Sequence, residues 1–161
     1  ELVSFWAVRP GDLLQALNEI KPQIVHFSGH GNSNGEIIVK DINGLPKALS
    51  TEAIKSLFKT LKDNIKVVVL NSCFSKPQAE AIAELIDCSI GMKTEIGDNA
   101  AIVFSSAFYR AIGFGRSIQE AFEQAKTALL LEGIPEENTP VLLAKSGSDP
   151  TRIRLLNNNE V

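Results

Sequence analysis

The chain has 161 residues and a mass of 17.4 kDa, and its 44% hydrophobic and 22% charged content is a globular balance that excludes global disorder. Sixteen Lys+Arg against nineteen Asp+Glu give a net charge of −3 and a pI near 5.4. That excludes a strongly basic nucleic-acid clamp, and no apolar run approaches the ~20 residues of a membrane span.

Two cysteines, Cys73 and Cys88, are too few for a disulfide framework and lack zinc-site spacing, which points to a reducing, cytoplasmic setting. The chain begins at Glu1 with neither a signal peptide nor an initiator Met. The expectation is a single domain over residues 1–161, forming an N-terminally incomplete part of a larger protein.

In chain order, Leu2–Val8 reads as an extended segment ended by Arg9-Pro10-Gly11. Leu13, Leu14, Leu17 and Ile20 recur at helical spacing over Asp12–Ile20, and Lys21-Pro22 stops that helix. Gln23–Ser28 is a β-type run that exits into Gly29-His30-Gly31. Residues 36–44 read as a small strand and turn, half of a hairpin. Ser50 caps a helix to about Leu61 with Ile54, Leu57, Phe58 and Leu61 on one face. Val67–Leu70 is the most strand-like run in the chain, and both of its faces are expected to be buried.

Ser75 and Gln78 have the spacing of a capping box for a helix to about Ile86. Cys88–Met92 reads as a short strand and Asp98–Ala111 as a helix. Ser117 with Glu120 is a second capping box, opening a helix to about Leu131 that Gly133 ends. Pro140–Ala144 is a last strand, and the Asn157-Asn158-Asn159 tail is expected to fray. Short apolar runs alternating with helices indicate an α/β fold with a mostly parallel sheet sandwiched by helices.

Functional groups in such sheets gather beyond the carboxyl ends of parallel strands. Two strand ends carry chemistry here: one releases His30, the other Cys73. The intervening chain holds a hairpin and one crossover helix, enough to return beside the first strand with both loops at one edge. A His and a Cys so placed can form a thiolate nucleophile with a proton donor at hand. The N–H groups of Gly31 and Cys73 could serve as an oxyanion hole. The helix after Cys73 favours a thiolate through its N-terminal dipole. Against this stand plainer readings: a Cys after a strand is often a small core hydrophobe, and a His among glycines a loop residue. His26, inside its strand, reads as a packed structural histidine, and Cys88 as core.

Ile24-Val25-His26-Phe27-Ser28-Gly29-His30-Gly31, followed by Val67-Val68-Val69-Leu70-Asn71-Ser72-Cys73, resembles the paired signature of CHAT domains. These are caspase-like cysteine peptidases, alongside separases, metacaspases and gingipains. The likeness extends from Trp6 to about Leu143, through Trp6-Ala7-Val8-Arg9-Pro10, Ile96-Gly97-Asp98-Asn99-Ala100-Ala101 and Ser117-Ile118 with Glu120-Ala121. It implies a caspase-like endopeptidase that cleaves a protein or peptide substrate, with His30 and Cys73 as the catalytic dyad and His26 non-catalytic. It implies no metal and no organic cofactor. The partners it implies are regulatory sensor domains or subunits of a bacterial signalling or defence system, with no direct nucleic-acid contact and no membrane. Caspase-like domains carry a first strand and helix ahead of the region matched by Leu2–Val8, and this sequence has nothing there.

Glu95 and Asp98 leave the sheet near the same edge, and Asp98 resembles an acidic position that binds Lys or Arg in basic-specific relatives. The alternative for Asp98 is a cap on the helix that follows. For the whole chain, the alternatives are a catalytically silent caspase-like scaffold or signalling module, and a thiol redox sensor.

Overall fold

The computed structural model describes residues 2–156. The fold is α/β, with the order α1 (Pro10–Ile20), β1 (Ile24–Ser28), β2 (Ile38–Lys40), β3 (Pro46–Ala48), α2 (Thr51–Thr60), β4 (Val67–Asn71), α3 (Lys76–Ala83), β5 (Cys88–Met92), α4 (Asp98–Gly113), α5 (Ile118–Leu131) and β6 (Pro140–Ala144). The main sheet runs β1-β4-β5-β6; β1, β4 and β5 are mutually parallel and β6 is antiparallel to β5. The short β2-β3 hairpin stands apart as a second sheet.

The pleat sorts β4 onto two cores. Val67 and Val69 pack with α4 and α5 on one face, and Val68 and Leu70 pack with α1, α2, α3 and the hairpin on the other. Every residue of β4 and β5 is therefore buried, and each Val or Leu so enclosed contributes about 1.5–3 kcal/mol. This is the expected double burial of a central parallel strand. β1 lies at the sheet edge and is only half-buried.

The starts of α2 and α5 follow their sequence signals, whereas those of α1, α3 and α4 depart from them. Ser50 accepts the Ala53 N–H at 3.2 Å, and Ser117 with Glu120 forms a reciprocal capping box. α1 starts at Pro10, ahead of the expected Asp12, because proline at the first helical position has its φ already set. The expected Ser75–Gln78 box does not form. Ser75 has a helical backbone, and its buried hydroxyl instead donates to the Leu70 carbonyl at 2.8 Å and accepts the Met92 N–H at 3.0 Å. Asp98 is not the cap of α4 either: Gly97 occupies that position and Asp98 is the first helical residue.

Leu2–Val8 joins no strand. Leu2, Val3, Phe5 and Trp6 are exposed, Ala7 bends the chain with φ 52°, and Lys40 donates to the Val8 carbonyl at 2.9 Å. The Asn157–Asn159 tail lies outside the described residues.

Candidate active site at the carboxyl edge of the sheet

β1 and β4 run in register to their last residues, where Ser28 pairs with Asn71. His30 and Cys73 each stand two residues beyond that pair, so the adjacent parallel strands release both at one edge. The Gly29 N–H reaches the Asn71 carbonyl at 3.4 Å and extends the ladder by one step.

The two loops press directly on each other. A Cβ on Gly31 would lie 2.2 Å from the Cys73 carbonyl oxygen and 3.2 Å from Ser72 Oγ, so no side chain fits there. Gly35, at φ +78°, also lies close to the Phe74 carbonyl, where a Cβ would come to 2.7 Å. Phe74 itself holds a left-handed φ of 57°, a conformation that costs of order 1–3 kcal/mol in a non-glycine residue, and its N–H donates to the Thr94 carbonyl at 3.1 Å. This bend turns the chain sharply just after Cys73.

Polar side chains hold the His30 loop in place. Asn32 Oδ1 accepts the N–H groups of Asn34 and Glu36, both at 3.0 Å, closing the turn that returns the chain to the hairpin. Gln78, fully buried on α3, accepts the Ile37 N–H at 3.1 Å and donates to the Leu49 carbonyl at 2.7 Å. It thereby grips both ends of the hairpin segment from the helix that follows Cys73. Its spacing from Ser75 suggested a cap, and no local sequence signal marks a bond to residues so distant.

Cys73 is a free, partly exposed thiol with Sγ 3.8 Å from the Ile96 carbonyl, and His30 is exposed. Among the described residues, the N–H groups of Gly31 and Cys73 donate to no protein acceptor. The remaining Cys and His are built differently. Cys88 is fully buried; burial, then the Asp87 and Asp149 carboxylates, push its thiol up to about 12. His26 Nδ1 shares a 2.8 Å hydrogen bond with the Tyr109 hydroxyl, and burial lowers its pKa to about 4.

Glu95 and Asp98 lie on either side of Ile96 and Gly97, and both are exposed. Gly97 donates to Glu136 Oε2 at 2.8 Å, which brings a third carboxylate to this segment. Glu136 follows α5 in the chain and carries no sequence signal of that approach. Among the described residues, no three His, Cys, Asp or Glu side chains gather as a metal site would need, and no helix is long and apolar enough to cross a membrane.

The family model described as the CHAT domain matches residues 4–142. A protein named "Roc-COR-CHAT protease", from an unknown prokaryotic organism, is 26% identical over 137 residues, covering 81% of this chain and 13% of that protein. A "Probable protease" of Gillisia limnaea is 28% identical over 127 residues, covering 76% of this chain and 22% of that protein. The chain thus spans less than a quarter of the length of either relative.

Proposed function

The chain belongs to the CHAT domain family, and from that premise we propose that it is a cysteine endopeptidase acting through Cys73 and His30. The observation that carries this reading is the pairing of Ser28 with Asn71, with Gly31 packed on the Cys73 carbonyl. Two relatives bearing protease names support it.

In the proposed reaction, His30 takes the Cys73 proton and the thiolate attacks the scissile carbonyl carbon. The carbonyl electron pair moves to oxygen, and the resulting oxyanion accepts hydrogen bonds from the free N–H groups of Gly31 and Cys73. His30 returns its proton to the leaving amine, which departs with the collapse of the tetrahedral adduct. Water then attacks the thioester, giving its proton to His30, and the acid product leaves as the thiol is restored.

Glu95 and Asp98 supply the proposed subsite for a Lys or Arg side chain before the cleaved bond. Both carboxylates are solvated in the free protein, and a bound cation enclosed beside them would be discriminated strongly from a neutral side chain. A positional-scanning peptide library tests this, and preference for Leu or Met over Arg and Lys would refute it.

The proposed setting is the reducing cytoplasm, with the chain forming one peptidase domain of a larger bacterial signalling or defence protein. Its sensor regions would control access to the site, in keeping with the small share of each relative that the chain spans. Replacing Cys73 with Ala tests the activity: cleavage is expected to disappear while the thermal transition is retained. Cleavage near the wild-type rate would refute the assignment.

A further inference from the structure

Asn71 is the last residue of β4 and is 4% exposed. The four residues before it are apolar, and an apolar side chain here would bury without desolvation cost. Asn71 instead spends both amide hydrogens on α4: Nδ2 donates to the Ala101 carbonyl at 3.1 Å and to the Ser105 hydroxyl at 2.8 Å. Its Oδ1 is buried and has no partner among the described residues, as does the neighbouring Ser72 Oγ. An orphaned buried acceptor is a net cost to folding, so the amide is a poor choice for stability alone. Its orientation is fixed by its donors, because a flip would set Oδ1 against the Ala101 carbonyl.

The same residue reaches the other loop through its main chain, since its carbonyl accepts the Gly29 N–H one residue ahead of His30. It also lies two residues before Cys73, whose Sγ faces the Ile96 carbonyl just ahead of α4. One side chain and one carbonyl therefore join the nucleophile strand, the His30 loop and α4 at a single point.

We propose that Asn71 is a positioning residue for the Cys73–His30 pair, acting through its amide clamp on Ala101 and Ser105; the proposal rests on the dyad reading above. Sub-ångström placement of a nucleophile and its base is worth on the order of 100-fold in rate. A residue that fixes both loops to a rigid 16-residue helix supplies that placement.

The test uses Asn71→Ala, Asn71→Asp, which keeps the shape but removes the donors, Ser105→Ala, and Ser106→Ala as a control on the exposed side of the same helix. Each is measured for kcat and KM, for thermal stability, and for the rate of Cys73 alkylation by iodoacetamide at pH 7 and pH 9. Alkylation at pH 7 reports the help of His30 in removing the thiol proton, whereas at pH 9 hydroxide removes it without that help.

Both Asn71 variants are expected to lose roughly 10–100-fold in kcat with KM within about twofold. Alkylation should slow in the same proportion at pH 7 and stay within about twofold of wild type at pH 9. Ser105→Ala should lose roughly fivefold, with no further loss when added to Asn71→Ala, and Ser106→Ala nothing. Wild-type kcat in Asn71→Ala would overturn the proposal. So would alkylation losses that are equal at both pH values and follow the melting temperature, which mark a purely structural role. A wild-type alkylation profile that His30→Ala leaves unchanged would remove the dyad itself, and the proposal with it.

Discussion

The interior of the sheet and its carboxyl edge each hold one cysteine and one histidine, and the fold treats them in opposite ways. Cys88 and His26 lie within paired strand residues, the first opposite Val67 and the second opposite Val69. Burial raises the Cys88 thiol, lowers the His26 imidazole, and so keeps both neutral. Cys73 and His30 lie two residues past the last strand pair, where the backbone is free to bend and the side chains meet solvent. The difference lies in position along a strand: inside the ladder these residue types are core, and beyond it they are available for chemistry.

The sharpest way to break the contrast is to disturb the edge without touching either side chain. Gly31→Ala adds one methyl group that would lie 2.2 Å from the Cys73 backbone oxygen, so the two loops must part. Peptide cleavage is expected to fall by at least roughly 100-fold, because a shift of this size misplaces the reacting groups. Gly113→Ala, where a Cβ meets nothing within 4 Å, is the matched control and should keep full activity. Equal activity in the two variants would show that the packing of the loops does not matter.

Changing the interior cysteine tests the other side of the comparison. Cys88→Ser should cost about 1–3 kcal/mol from placing a hydroxyl in a fully buried site, read as a shift in the urea midpoint. Cleavage by the folded variant should stay within about twofold of wild type. A folded but inactive Cys88→Ser protein would move the chemistry to the interior.

The last way to sharpen the contrast is the pH signature of His26. Its pKa is about 4 in the folded protein against an ordinary value of 6.5, so between these limits the unfolded chain binds the proton more readily. His26 therefore lets the native state keep its full stability above about pH 6.5 and lose it progressively as pH falls toward 4. In His26→Phe, the slope of the urea midpoint over that window should be shallower than in wild type. An unchanged slope would show that His26 is not held neutral.

Much of this was legible in the sequence. Val67–Leu70 announces a doubly buried strand through its unbroken apolar run, and Ser50 and the Ser117–Glu120 pair announce helix starts through local spacing. What stayed hidden depends on partners distant in the chain. Ser75 and Gln78 carry a capping pattern, but burial offers Ser75 the Leu70 carbonyl and Met92 N–H, and offers Gln78 both ends of the hairpin. Asp98 stands where a cap is plausible, yet Gly97 takes that place with Glu136 bonded to its N–H. The strand-end placement of His30 and Cys73 follows from crossover length, whereas the contact of Gly31 with the Cys73 carbonyl and the hold of Asn71 on α4 join groups that no local pattern links.

The central claim, that the edge pair acts as nucleophile and base, is tested most directly by covalent trapping. The folded protein is treated at neutral pH with a peptidyl acyloxymethyl ketone carrying Arg or Lys beside the reactive group, and the adduct is located by peptide mass mapping. One equivalent of label should appear on Cys73, and it should be lost in a folded His30→Ala variant. Label on Cys88, or equal labelling of Cys73 with and without His30, would contradict the account.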